Sequence, residues 1–379
     1  MGIVASNIST PRKGAAAFLR PARRPGRLGP LGFGRLIAIV VVHAVVLILL
    51  VQTMWLAITG VVLGVLALAG LLGRHGDRWW TDRIPLAARL WRRRKQQAQQ
   101  ADDPRLSAVR SLVPDVTVED IPDWTGAVFG MGSDGAGWFA VHEVLVTHDT
   151  VQPPVPLAQL FDIAGEATQF GASVQVVGFA AERPANPELG KRHAMWVAIR
   201  LDSRAVAEAV LDDANGEPDV PEVLRELSRR VDRVLHRSGL RSRLLDADEL
   251  LDALVLCCDL APGNSGVVGE RWKSWNSVRL AHSSFWLKRW PELGKAQRLI
   301  GAVHALPVAL VSVAFQLVPD GENGTLRCLI RVGEPSSRHE QACADLSQTV
   351  TGFGGQLMRL NGEQAVATYL SAPSGGMAR

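Results

Sequence analysis

From Leu36 to Gly73 the chain carries no Asp, Glu, Lys or Arg. One helical membrane span takes about 20 apolar residues. This run is therefore long for one span and sufficient for two short ones. Gln52 and Thr53 interrupt it near its middle, and Trp55 stands beside them. The pattern predicts a helical hairpin with spans at about 36–51 and 54–72 and almost no connecting turn. Trp55 suits an anchor at the membrane interface.

Beyond residue 100 the apolar period changes, and strand-like and helix-like patterns alternate. Strands are expected over 137–146, 172–181, 194–201, 306–317, 325–332 and 355–360. Helices are expected over 157–169, 204–212, 220–237, 246–257 and 337–350. Asp246 stands as an N-cap with Glu249 three residues on, the spacing of a capping box. The order strand, strand, helix, strand occurs around 126–177 and again around 308–360. Each copy passes from helix to strand through a Phe-Gly pair, Phe170-Gly171 and Phe353-Gly354. This weak repeat suggests two ferredoxin-like halves.

Charge divides the chain. Residues 1–100 hold a net +13 and the rest a net −9, within a total of +4. The basic charge brackets the apolar run: seven Lys or Arg precede it and eight follow by residue 95. Basic flanks stay on the cytoplasmic side, so an even number of spans places both termini there. Trp79, Trp80, Arg92, Arg93 and Arg94 are the expected interfacial residues, with anionic lipid headgroups as their partners. Ala67-Leu68-Ala69 has the small-residue spacing of a leader cleavage site. The apolar run is too long for a leader's core of roughly 7–15 residues. Four cysteines give no disulfide-like framework. A mildly acidic C-terminal region argues against nucleic-acid binding. The predicted organisation is a disordered basic arm (1–35), a transmembrane hairpin (36–73), a basic juxtamembrane segment (74–100) and a cytoplasmic domain (101–379). The fold class is membrane-anchored α+β, with a mixed α/β domain built on an antiparallel sheet.

Candidate chemistry is sparse. Gly130, Gly132 and Gly135 have dinucleotide-loop spacing but lead into a strand-like segment rather than a helix, which favours a turn. Gly60 and Gly64 form a small-residue face in the second span. It suits packing on the first span or docking to another membrane protein. His43 lies inside the first span with no acidic partner in the run, which favours a helix–helix hydrogen bond over a proton relay. Asp246 and Asp248 resemble the D-x-D of glycosyltransferases, but acidic residues also suit a helix start. Trp272, Trp275, Trp286 and Trp290 are interleaved with basic residues and serve either as core or as a protein interface. No catalytic, cofactor-binding or metal-ligating set is assigned, and no small-molecule substrate is expected.

An ordered series of segments carries a resemblance. The hairpin is followed by Gly76-Asp77-Arg78-Trp79-Trp80-Thr81-Asp82 and a run of arginines. Asp134-Gly135-Ala136-Gly137-Trp138-Phe139-Ala140-Val141 and Asp246-Ala247-Asp248-Glu249-Leu250-Leu251 come next. Trp272-Lys273-Ser274-Trp275 then leads through His282 to Phe285-Trp286-Leu287-Lys288-Arg289-Trp290-Pro291. In this order they resemble EccE, a membrane component of actinobacterial type VII (ESX) secretion. The resemblance implies a non-enzymatic structural subunit of an inner-membrane complex with EccB-, EccC- and EccD-like partners. Two other readings stand beside it: a membrane-tethered glycosyltransferase-like enzyme using Asp246 and Asp248, and a membrane-bound regulator with a protein-binding domain.

Overall fold

The computed structural model describes residues 19–21, 27–28, 31–51, 53–75, 78–95, 101–122, 126–145, 154–183, 190–212, 219–263, 269–320 and 323–376. Two apolar helices, α1 (Phe33–Leu50) and α2 (Met54–Leu72), pack against each other across a turn of three residues. Among the described residues, α2 is the one helix long and apolar enough to cross a membrane by length and composition. The apolar part of α1, Ile37–Leu50, is shorter. The two helices pack as a pair, but with one candidate span among the described residues the expected two-span hairpin is met only in part. A third helix, α3 (Trp80–Lys95), follows and touches α2.

The remaining helices and strands belong to one domain. They are α4 (Pro104–Arg110), β1 (Thr117–Pro122), β2 (Val128–Ser133), β3 (Gly137–Val144), α5 (Leu157–Gly165), β4 (Ser173–Glu182), β5 (Lys191–Asp202), α6 (Ser203–Asp212), α7 (Val220–Arg237) and β6 (Ser242–Leu244). After them come α8 (Ala247–Cys258), β7 (Gly269–Glu270), β8 (Trp275–Asn276), β9 (Ala281–Arg289), α9 (Leu293–His304), β10 (Leu310–Asp320), β11 (Asn323–Glu334), α10 (His339–Gly352), β12 (Gln356–Arg359) and α11 (Gln364–Leu370).

One 13-stranded sheet runs β7-β8-β9-β11-β10-β4-β5-β3-β2-β1, with β6 on β3, β12 on β9 and Leu19–Pro21 on β11. Within it the chain draws the same figure twice. β3-α5-β4-β5-α7-β6 lies in the order β6-β3-β5-β4, and β9-α9-β10-β11-α10-β12 lies in the order β12-β9-β11-β10. Both are the βαββαβ order of a ferredoxin-like unit. They join edge to edge where β4 pairs antiparallel with β10, from Leu310 on Ala181 to Leu317 on Val174.

The expected repeat is therefore real but out of phase. The segment 126–177 corresponds to the start of the second half, not to 308–360. Phe170-Gly171 leads into the second strand of its unit, and Phe353-Gly354 leads into the fourth. A helix-to-strand crossover occurs twice in each βαββαβ unit, so a local order of elements does not fix the phase.

Both faces of the sheet are covered. Helices α5 and α7 bury Leu160, Phe161, Leu224, Leu227, Val231 and Leu235 against β4 and β5, and α9 and α10 bury Leu299, Val303 and Leu346 against β10 and β11. On the opposite face α4, α8 and α11 pack on Val177, Phe179, Trp196, Leu310 and Ala314. Burial on two sides explains why β4 and β10 read as largely apolar runs, interrupted at Gln175, Ser312 and Gln316. Helix α7 starts at Asp219, whose side chain accepts from the Glu222 amide at 3.3 Å, and its buried leucines and valine recur at helical spacing.

The glycine-rich segment at 130–135 closes the β2–β3 hairpin. Gly135 has φ +74°, and Asp134 N donates to Gly137 O at 3.2 Å. A dinucleotide loop would have to open a helix here, so that reading is discarded. Strand β9 and helix α9 were not expected. Strand β9 buries His282, Ser283 and Ser284, and polar residues at buried positions hide a strand from its period. In the arm expected to be disordered, Leu19–Pro21, Arg27–Leu28 and Leu31–Gly32 are short strands. The rest of 1–30 lies outside the described residues.

Candidate functional site

Three places gather polar side chains. The first is the Asp-x-Asp at the start of α8. Asp246 Oδ1 accepts from Glu249 N at 2.8 Å, and Glu249 Oε2 accepts from Asp246 N at 3.4 Å. That is the expected capping box. Asp248 takes Arg105 Nη2 at 2.6 Å, and the same guanidinium reaches Asp103 at 2.8 Å and Asp252 at 3.0 Å. These carboxylates pin α4 onto α8. Their committed partners leave the glycosyltransferase-like reading without support.

The second is buried under α8. Asp259 ends α8 in the left-handed region at φ +53°. It accepts from Ser277 Oγ, from Arg279 and from His282 Nε2, the last at 3.4 Å. On the other side of the ring, His282 Nδ1 accepts from Arg331 Nη1 at 3.1 Å. Arg331 is fully buried and also donates to Ser371 Oγ at 2.7 Å and to the Cys257 carbonyl. Burial pushes the His282 ring down to about 4 against the opposing pull of Asp259. Burial alone would raise Asp259, but hydrogen bonds from His282, Ser277 and Arg279 outweigh it and hold the carboxyl at about 2.

An Asp–His pair invites comparison with a hydrolytic triad. There the ring nitrogen remote from the Asp must accept a proton from a nucleophile. Here Arg331 occupies that nitrogen. The arrangement links β9, β11, α8 and the C-terminal strand of residues, and it is structural.

The third place lies where α3 meets the domain. Glu270 of β7 takes Arg93 in a two-pronged pair, Nε to Oε2 at 3.0 Å and Nη2 to Oε1 at 3.1 Å. Arg93 Nη2 also donates to the Gly362 carbonyl at 2.7 Å, and Arg94 Nε donates to the Glu270 carbonyl at 2.8 Å. Glu270 Oε1 further accepts from Ala365 N at 3.1 Å. Nearer the start of α3, the Arg83 guanidinium sits 5.0 Å from the Trp272 ring centroid. Gly362 has φ +80°, and a Cβ there would fall 2.7 Å from Cζ3 of Trp272. Glycine is required both for the backbone and for the ring. A charged two-pronged pair of this kind is directional as well as strong. It ties the segment that follows α2 to the rim of the sheet.

The residues singled out from sequence separate accordingly. Gly60 and Gly64 are the buried residues of α2. A Cβ on Gly60 would lie 2.8 Å from Leu49 Cβ, and one on Gly64 would lie 2.5 Å from Val46 Cγ2. Their face is thus occupied by α1. His43 is exposed and its Nδ1 bonds to the Ile39 carbonyl of its own helix at 2.9 Å. The expected helix–helix bond is not made, because a backbone carbonyl one turn away satisfies the ring first. Trp55 is exposed at the hairpin turn. The side chains of Trp79 and Trp80 lie outside the described residues.

Arg92 is exposed, but Arg93 and Arg94 engage the domain. Glu270 and two carbonyls hold their guanidinium groups on the domain side. The four tryptophans do not form one surface. Trp275 is core and lies tilted against His282 at 5.2 Å, Trp286 faces Arg327 at 5.7 Å, Trp290 meets Phe315 at 6.2 Å, and Trp272 belongs to the α3 contact. Glu270 itself gave no signal in the sequence, since a lone Glu in a loop-like stretch looks solvated. Among the described residues, no group of three or more His, Cys, Asp or Glu side chains comes together as a metal site.

Residues 190–287 match the family described as "Putative type VII ESX secretion system translocon, EccE". Over that segment the chain is similar to the EccE family. The EccE segment runs from β5 through α7 and α8 to β9, about a quarter of the chain, and it contains Glu270, Trp272 and the Asp259–His282 pair. No curated protein matches the chain. Among solved structures, aminoacylhistidine dipeptidase from Vibrio alginolyticus is similar at 11% identity and a TM-score of 0.16, over 65% of this chain. The chain spans 41% of that protein's length. A likeness of that size carries no argument about fold or reaction.

Proposed function

We propose that this protein is a non-enzymatic structural subunit of the inner-membrane complex of a type VII (ESX-like) secretion system, where it supports assembly of the export machine. The observation that carries this reading is the union of anchor and family segment: Arg93 and Arg94, which follow the apolar hairpin, are bound by Glu270 inside the EccE segment. A subunit that holds partners in register needs such a rigid joint. The side chains that first suggested catalysis are consumed in caps, ion pairs and a buried relay, which favours this reading over the enzyme.

On this proposal α1 and α2 cross the membrane as a two-pass hairpin with both termini and the domain cytoplasmic. The three-residue turn and the contacts of Gly60 with Leu49 and Gly64 with Val46 support two antiparallel passes. So does the pairing of Leu19–Pro21, ahead of α1, with β11, which follows α2: both ends of the hairpin then lie on one side. The partners are EccB-, EccC- and EccD-like subunits and anionic lipid headgroups, and the source is an actinobacterium. Extraction of the full chain from native membranes in mild detergent, followed by mass spectrometry, tests the proposal. An ATPase and a polytopic membrane protein in constant ratio are expected. Recovery of the protein alone would overturn it.

A further inference from the structure

Helix α3 presents two faces, and one of them packs on the domain. Arg83, Leu86, Leu90 and Arg93 recur at helical spacing along the inward face, where Leu86 is 8% and Leu90 is 6% exposed. At 100° per residue, Ile84, Ala88 and Trp91 lie on the opposite side. Ile84 is 70% and Trp91 59% exposed. Arg89 and Arg92 flank this stripe and are exposed as well.

A helix with a large aliphatic and a tryptophan in water, bordered by arginines, has the composition of a helix that lies in a membrane surface. Its position agrees. It follows α2 after a short link and touches it. Residues 74–95 hold eight Lys or Arg against two Asp.

We propose that α3 is a two-faced interfacial helix: Ile84, Ala88 and Trp91 enter an anionic lipid surface, Arg89 and Arg92 meet its headgroups, and the inward face carries the domain through Glu270 and Trp272. This rests on the reading of α2 as a membrane span. The negative potential of an anionic surface attracts the arginines, and the apolar stripe adds burial in the headgroup region.

The test uses the full chain in nanodiscs of phosphatidylcholine with or without phosphatidylglycerol. Single spin labels replace Ile84 (Ile84→Cys), Val62 on the exposed side of α2 (Val62→Cys) and exposed Leu211 of α6 (Leu211→Cys). The four native cysteines are buried. Accessibility to oxygen is compared with accessibility to an aqueous nickel chelate. The expected result is a lipid-type ratio at 62 and 84 and an aqueous one at 211. Arg89→Glu with Arg92→Glu should lower the ratio at 84 severalfold in phosphatidylglycerol discs and leave 62 unchanged. A lipid-type ratio at 62 with an aqueous one at 84 overturns the proposal while sparing the anchor. Aqueous ratios at both overturn the anchor reading too. Position 84 shielded from both probes in native membranes but aqueous in nanodiscs would assign the face to a protein and overturn the lipid assignment.

Discussion

Asp259 is the residue where backbone and hydrogen bonding meet. It is the described non-glycine residue with positive φ, and it serves Ser277, Arg279 and His282 at once. Asp259→Ala leaves a left-handed alanine and a ring and a hydroxyl without their acceptor. It should lower stability by about 2–4 kcal/mol, read by denaturation of the full chain in detergent. Asparagine tolerates the left-handed region and keeps one acceptor, so Asp259→Asn should cost about half as much. Burial holds His142, His282 and His304 down at about 4, below the ordinary 6.5. The unfolded chain therefore takes up these protons first. Stability that is full above about pH 6.5 is lost as pH falls towards 4. Proton uptake on unfolding near pH 5 should approach three from these groups. Thermal midpoints across that window check the sign: a midpoint that held steady or rose on acidification would contradict it.

Between residues and the whole stand the helices that join membrane and domain. Gly64→Ala puts a methyl 2.5 Å from Val46 Cγ2, so α1 and α2 should separate and the amount of protein retained in membranes should fall. Val46→Ala removes the clashing branch and should restore it in the double variant. Failure of that rescue would count against the packing. Arg93→Ala removes the two-pronged pair to Glu270 and the bond to Gly362. With Arg93 a quarter exposed, the loss is about 2 kcal/mol, or about 30-fold in an opening equilibrium at 1.36 kcal/mol per decade. Amide exchange over 83–94 should accelerate by that factor while β4 and β10 stay protected. Helix α7 and the capping box of α8 were legible from periodicity and capping residues. The joint at Glu270 was not, because a partner 177 positions away in sequence leaves no local trace.

At the scale of the molecule, two βαββαβ units share one sheet through β4 and β10. Their helices cover one face separately, but α8, α11 and the residues after α11 span the other face across the junction. Gln175 and Gln316, opposite one another on β4 and β10, both bind this C-terminal stretch, at Leu370, Gly375 and Gly376. The halves should therefore unfold in one transition rather than two. Ala314→Pro places a ring and a missing N–H in the strand that pairs with both β4 and β11, and should unfold both halves together. Exchange that opened only residues 281–359 would show the units to be independent.

The pairing of two apolar helices, the alternation of strands and helices and the α8 cap were decided by the sequence. Each depends on residues within a few positions of one another: an uncharged run, a period, a cap and its third neighbour. The phase of the repeat, the burial of Arg331 behind His282, the engagement of Arg93 and the scattering of the four tryptophans were decided by tertiary structure. Each depends on groups that chain closure brings together from far apart, where a ladder partner or a desolvated charge outweighs local preference.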